Sequence, residues 1–292
     1  MTKYDSLGEI IVAYRSRNII SQAEFASEMD VDVRTIIRWE KNKTQLKDEL
    51  EFKLSAVTFI PHQVIRNLNS NTPIQTFYDF DLRKYSLSAL STELPEASWI
   101  KERMNVYTDR IRPFETKKDI EYFLRYNQLQ RDPLKTSNKE IIQKSIEKLP
   151  ELNIIIMDEN DNYAGHCCYL PLKKSSYERI KSKEIKEAEL TINDLISSIS
   201  TEEPVYYCHS ITADCNENFF YIIGEVFRFF NSKNVSTDYI YAILTSRYDS
   251  YDMSKDLGVH LIWEDNALQK KLNLLAPPRL YEGNFNQFLK QE

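Results

Sequence analysis

Arg34 and Arg38 stand four residues apart in the segment VRTIIRWEKNK, and Lys41 and Lys43 follow closely. Residues four apart lie on one face of a helix. A guanidinium presents a planar fork that matches the two acceptors on a guanine edge, so two of them on one helical face suit base reading in a major groove. The two lysines concentrate further positive charge at the same end of the segment. Recognition of an anionic polymer is the chemistry this pattern serves. The cationic character is local, because the whole 292-residue chain carries a net charge of −6.

Other reactive side chains are sparse. The four cysteines are Cys167, Cys168, Cys208 and Cys215, with no CxxC pair, which predicts reduced thiols rather than a disulfide scaffold. Cys167 and Cys168 are adjacent and point to opposite faces if the segment is a strand, which argues against a shared zinc. Cys208, His209 and Glu225 are candidate nucleophile and acid–base groups, but the first two fall in an apolar strand pattern where a buried structural role is expected. No Ser/His/Asp set, phosphate-cradling glycine loop or metal-ligand spacing is legible. The length suits about two domains of the usual ~100–200 residues, and 42% hydrophobic content suffices for a core in both. No apolar run approaches the ~18–20 residues of a membrane span, and no leader-like apolar stretch follows the N-terminus, so a cytoplasmic protein is expected.

The elements that must position Arg34 and Arg38 can be read from periodicity. Leu7, Ile10, Ile11, Tyr14 and Arg15 form one helical stripe, Gln22, Phe25, Ala26 and Met29 a second, and Ile36, Ile37, Trp39 and Glu40 a third. Ser21 with Glu24 has capping-box spacing, and Asp32 is placed as the N-cap of the third helix. The break at Met29-Asp30-Val31-Asp32 has the length of a helix-turn-helix joint. Asp30 stands where such a turn asks for glycine, and aspartate enters the left-handed region at tolerable cost.

Ser21 to Ala26, this turn, and Thr35 to Lys43 resemble the XRE family of phage-repressor-type helix-turn-helix domains, over about residues 5 to 68. The resemblance implies an all-α DNA-binding domain. It implies DNA contacts from Val33, Arg34, Thr35 and Arg38 on the third helix, from Lys41, and from Gln22, Lys43 and Thr44 toward phosphates. It further implies a structural ion pair between Arg15 and Glu40. Residues 1–69 hold ten Lys and Arg against ten Asp and Glu, so the module is neutral overall. A neutral module is expected to lean on dimerisation, because a second half-site supplies what one cannot.

Helical spacing continues over Leu46 to Phe59, Pro61 suits the first turn of another helix, and Asn67 to Pro73 reads as a break. The domain organisation expected is a helical domain over 1–70, a connecting segment over 71–105 and an α/β domain over 106–292. From Ile74 to Met104 aromatic residues such as Phe77, Tyr78, Phe80, Tyr85 and Trp99 mix with charges, which predicts packing rather than a plain linker. Beyond it, strands are expected at Val106–Pro113, Asn153–Met157, Tyr163–Leu170, Val205–Ile211, Tyr239–Leu244 and Val259–Trp263. Helices are expected at Lys118–Leu129, Asn138–Leu149, Phe219–Phe230 and Asp249–Leu257, with a helical insert over Ser175–Ser198. The class is a mixed-sheet α/β fold.

That order resembles the GNAT acyltransferase fold over about 106–265. It rests on Ile111-Arg112-Pro113 with Asp119, the hairpin ending at Ala164-Gly165, and Leu257-Gly258-Val259. The resemblance implies an acyl-CoA pyrophosphate site at Thr212–Asn218 and a tyrosine acid at the position of Ser254, with Tyr248 and Tyr251 nearby. The loop holds no glycine, arginine or glutamine, and it carries Asp214 and Glu217. A carboxylate ~4 Å from a phosphate charge costs on the order of 1–4 kcal/mol. The expectation is therefore a regulator that reads double-stranded DNA as a homodimer. Its α/β domain serves small-molecule sensing or dimerisation, with no catalytic residues and no cofactor. The alternatives are a DNA-tethered N-acetyltransferase using acetyl-CoA or another acyl-CoA, and a protein-interaction adaptor. No membrane partner and no metal is expected.

Overall fold

The computed structural model describes residues 1–87, 97–103, 105–115, 117–130, 132–136, 138–199, 202–232, 235–247 and 250–290. Five helices open the chain: α1 (Leu7–Asn18), α2 (Gln22–Met29), α3 (Val33–Glu40), α4 (Asp48–Thr58) and α5 (His62–Leu68). Their ends follow the local chemistry. Ser6 caps α1, Ser21 and Glu24 close a complete capping box on α2, and the Asp32 carboxylate accepts from the Arg34 N–H at the start of α3. Asp30 ends α2 in the left-handed conformation, with φ 53°. The buried residues are those of the three stripes, Leu7, Ile10, Ile11, Tyr14, Phe25, Ala26, Met29, Ile36 and Trp39, joined by Leu54, Val64, Ile65 and Leu68 from α4 and α5.

The opening region is not purely helical, in contrast to the all-α expectation. Thr2–Tyr4 is a strand, β1, that pairs antiparallel with β2 (Thr76–Asp79), and β2 pairs in turn with β3 (Lys84–Ser86). A three-residue strand paired across more than seventy residues leaves no periodicity to read. Tyr78 and Phe80 bury their rings in the helical core, Tyr78 edge-on to Phe80 at 4.7 Å. Within the segment expected to pack, Tyr78, Phe80 and Tyr85 do so, whereas Trp99 is exposed and residues 88–96 and 104 lie outside the described residues.

The chain divides into two compact units. The first comprises Met1–Leu94, Met157–Ala164 and Thr212–Asn218, and the second Pro95–Ile156, Gly165–Ile211 and Phe219–Glu292. A mixed sheet has seven strands, all in the second unit except for Met157, Tyr163–Ala164 and Thr212–Ala213 at strand ends: β4 (Ile111–Pro113), β5 (Ile154–Met157), β6 (Tyr163–Leu172), β7 (Val205–Ala213), β8 (Ile240–Thr245), β9 (Val259–Glu264) and β10 (Arg279–Gly283). Their spatial order is β4-β5-β6-β7-β8-β10-β9. β7 and β8 are parallel, and β10 is antiparallel to both β8 and β9. Helices α6 (Ala97–Arg103), α7 (Lys117–Gln130), α8 (Lys139–Lys148), α9 (Lys174–Lys181), α10 (Asn216–Phe230), α11 (Ser250–Asp256), α12 (Asn266–Leu272) and α13 (Asn286–Lys290) complete the described elements. The class is α/β, as the alternation of patterns implied.

Two expectations need correction, and one feature was not expected at all. The strand sought at Val106–Pro113 is only Ile111–Pro113. The helical insert over Ser175–Ser198 is helical in Lys174–Lys181, after which Lys183 turns left-handed at φ 61° and only two short 3-10 turns follow, Glu187–Glu189 and Ile192–Asp194. The insert departs from helix because Glu187 is drawn fully into the protein by long-range partners. The unexpected feature is β10, which slots between β8 and β9, a placement that no local pattern announces. Gly283 allows it: a Cβ there would lie 2.9 Å from the Gly258 carbonyl and the Val259 Cα. No helix among the described residues is long and apolar enough to cross a membrane.

Candidate nucleic-acid interface

α2 and α3 meet through the Asp30 turn, and α3 turns Ile36 and Trp39 inward. Its outer face carries Val33, Arg34 and Arg38, all exposed, with Thr35 half-buried between them. Lys41, Lys43 and Thr44 are exposed in the turn that follows. Arg34, Arg38, Lys41 and Lys43 make no ion pair among the described residues. Four other cations of the first unit do: Arg15 pairs with Glu40, Arg17 with Asp81, Lys3 with Asp5 and Lys53 with Asp30. The neutral charge count of the module therefore conceals a local patch of four exposed cations without ion-pair partners among the described residues.

What holds α3 in place is a polar knot at its C-terminal end. Glu40 Oε1 accepts from Arg15 Nε at 2.5 Å and Oε2 accepts from Gln22 Nε2 at 2.6 Å, while Arg15 Nη1 donates to the Ile20 carbonyl at 2.9 Å. The Arg15 and Glu40 side chains are 15% and 8% exposed, so the pair ties α1 to α3 largely out of water. Gln22 is half-buried, with one amide hydrogen directed at this carboxylate. Of the residues gathered by the sequence, Val33, Arg34, Thr35, Arg38, Lys41, Lys43 and Thr44 form one contiguous stretch, and Gln22 joins it through Glu40.

Asn42 escaped the reading of the sequence. It adopts φ 52°, accepts from the Gly8 N–H at 2.9 Å and donates to Ser6 Oγ at 3.0 Å, which fixes the turn carrying Lys41 and Lys43 onto the start of α1. Its signal was an asparagine directly after a helix, where the left-handed conformation is cheapest for this type. Gly8 makes the approach possible: a Cβ there would fall 2.5 Å from the Glu40 carbonyl oxygen.

The segment Thr212–Asn218 lies in the first unit and is organised without reference to an anion. Thr212, Asp214 and Asn218 are buried. The Asp214 N–H donates to the Ala164 carbonyl at 2.9 Å, its carbonyl accepts from the Tyr85 N–H at 2.6 Å, and its carboxylate accepts from Asn218 Nδ2 at 2.7 Å. Burial raises the pKa of the Tyr85 phenol, and the charges of Asp214, Cys215 and Glu217 reinforce that shift. These residues do not suit a pyrophosphate, since the loop already holds negative charge and its Asp214 N–H is spent.

Ser254 is buried, while Tyr248 and the side chain of Tyr251 lie outside the described residues, as does Met104. Cys208 and His209 are fully buried on β7, as their strand pattern implied, and Glu225 pairs with Arg228 on α10 at 2.5 Å. Burial is the main cause that drives the Cys208 thiol up to about 12. His209 belongs to a buried network. Its Nδ1 is 2.6 Å from Glu187 Oε1 and its Nε2 3.1 Å from Asn127 Nδ2, and Glu187 also accepts from Tyr207 Oη at 2.9 Å and Lys135 Nζ at 3.3 Å. Burial alone would raise the Glu187 pKa, but the Lys135 and His209 charges and hydrogen bonds outweigh it and bring the carboxyl to about 2. No group of three or more His, Cys, Asp or Glu side chains among the described residues is placed to hold a metal ion.

No family model matches this chain, and no curated protein matches it.

Proposed function

We propose that the chain is a sequence-specific DNA-binding transcription regulator of the XRE helix-turn-helix type, cytoplasmic and dimeric. The observation that carries this reading is the set of four exposed cations, without ion-pair partners among the described residues, gathered on and just after α3. A buried Arg15–Glu40–Gln22 knot that fixes α3 against α1, and a tight turn at Asp30, support a rigid reading head. Arg34 and Arg38 meet base edges in this scheme, and Lys41, Lys43 and Thr44 meet phosphates.

The second unit is GNAT-like in this reading and serves ligand sensing or dimerisation. The parallel pair β7 and β8 at the centre of the mixed sheet supports the fold assignment. The acidic, internally bonded Thr212–Asn218 loop and the serine at 254 argue against acetyl-CoA-dependent transfer. Titration calorimetry of the full chain with acetyl-CoA tests this half: micromolar binding with acyl transfer would restore the N-acetyltransferase alternative.

Operator selection followed by binding assays at two salt concentrations tests the DNA half. Arg38→Ala should weaken binding by about 1–3 kcal/mol and relax the preference at one position, whereas Lys43→Ala should weaken all sequences alike and lower the salt slope by about one. Parent-like binding by both variants would refute the assignment of α3. Absence of any salt-dependent DNA binding would favour the adaptor reading.

A further inference from the structure

We infer that Ser210 and His166 form a nucleophile–base pair in the second unit that reacts with activated carboxylic esters. The two residues lie on neighbouring strands, β7 and β6, and His166 Nε2 is 2.6 Å from Ser210 Oγ. That is the contact required for a base to take the hydroxyl proton as the oxygen attacks. The exposures of the two differ in the useful direction: His166 is fully buried, while Ser210 retains partial exposure. The imidazole is held edge-on between rings of α7, with Phe123 at 4.7 Å and Tyr126 at 5.3 Å, which fixes its plane. Burial, reinforced by His209 nearby, lowers the His166 pKa well below the ordinary value, so the ring is neutral at pH 7, and in the tautomer that leaves Nε2 unprotonated it accepts from Ser210 Oγ.

The position of Ser210 in the sheet adds to this. The ladder between β7 and β8 runs from Val205 to Cys208, and Ser210 lies beyond its end while β7 continues to Ala213. His209 next to it makes the contrast plain. Both of its ring nitrogens are taken up by Glu187 and Asn127, so it braces the insert against the sheet and has no reacting partner.

The chemistry balances without a co-reactant other than water. Ser210 Oγ attacks the ester carbonyl carbon and its proton passes to His166 Nε2. The bond to the leaving alcohol breaks, that oxygen takes the proton from His166, and an acyl-Ser210 ester remains. Water activated by the same nitrogen then releases the acid and restores the serine. This inference is independent of DNA recognition by α3, and it gives the second unit a reactive centre that needs no pyrophosphate site.

The test uses the full chain with a serine-directed fluorophosphonate probe and peptide mass mapping. The expected result is a single label on Ser210, none in S210A, and a rate in H166Q reduced at least ~100-fold, the usual worth of a positioned base. Circular-dichroism melts establish that both variants are folded. The parent's labelling rate, compared with that of the urea-unfolded chain, decides the matter even if a variant fails to fold. A neutral His166 further predicts a rate that stays level as the pH is lowered from 8 to 6. No label on Ser210 in the parent, labelling no faster than in urea, or an undiminished rate in folded H166Q would each overturn the inference and leave the contact as a structural hydrogen bond.

Discussion

Glu40→Ala removes at one stroke both acceptors that hold α3 to α1 and α2. The Arg15 guanidinium, 15% exposed, keeps only its bond to the Ile20 carbonyl, and the half-buried Gln22 amide loses its carboxylate partner. Breaking a buried pair by deleting one partner costs ~3–5 kcal/mol because a desolvated charge is left behind. The partial exposure of Arg15 lets water recover part of this, which places the expectation near the lower end, at about 3 kcal/mol. For a domain of this size ~1 kcal/mol moves the melting midpoint by ~4–8 °C, so the first unit should melt on the order of 15 °C below the parent. The assay is a circular-dichroism melt of the full chain at 222 nm, where the helical first unit contributes strongly, with urea titration at 25 °C as a check on the free energy. An isosteric pair, Arg15→Met with Glu40→Leu, should recover most of the loss, because an apolar replacement leaves no charge stranded. A Glu40→Ala midpoint within ~2 °C of the parent would refute the reasoning, since a loss that small corresponds to an exposed pair.

Two further outcomes are expected. Gly8→Ala puts a methyl 2.5 Å from the Glu40 carbonyl oxygen, so α1 must shift off the end of α3; chemical denaturation should show a loss of at least ~1–3 kcal/mol, and an unchanged midpoint would contradict the close approach. Glu187 has a folded pKa of about 2, below its ordinary 4.5, so its contribution is complete above about pH 4.5 and is lost as the pH falls toward 2. The stability gap between parent and Glu187→Gln should therefore narrow by on the order of 3 kcal/mol between pH 5 and pH 2, and urea midpoints that stay parallel across that range would refute the Lys135–Glu187–His209 network.

What the sequence determined by itself is local. The stripes of α1 to α3, the capping box at Ser21, the Asp32 cap and the left-handed Asp30 each follow from interactions within a few residues, and the structure has them where the spacing puts them. The strands β5 to β9 and the helices α7, α8, α10 and α11 were legible for the same reason, as short periodic runs between breaks. Tertiary structure alone decided the rest. The pairing of Thr2–Tyr4 with Thr76–Asp79 and the insertion of β10 between β8 and β9 join segments whose own patterns are three to five residues long. The exposed face of α3 could be named from periodicity, but that Glu40 at its end pairs with Arg15 of α1 while Arg34 and Arg38 make no ion pair among the described residues was decided by the tertiary structure. The same holds inside the sheet. His166 and Ser210 are 44 positions apart in the chain, and Glu187 and His209 are 22 apart, so only strand register and the folding-in of the insert bring each pair to 2.6 Å. Hydrogen-bonding groups carry no mark of a distant partner, and a buried one is satisfied only when the whole fold delivers it.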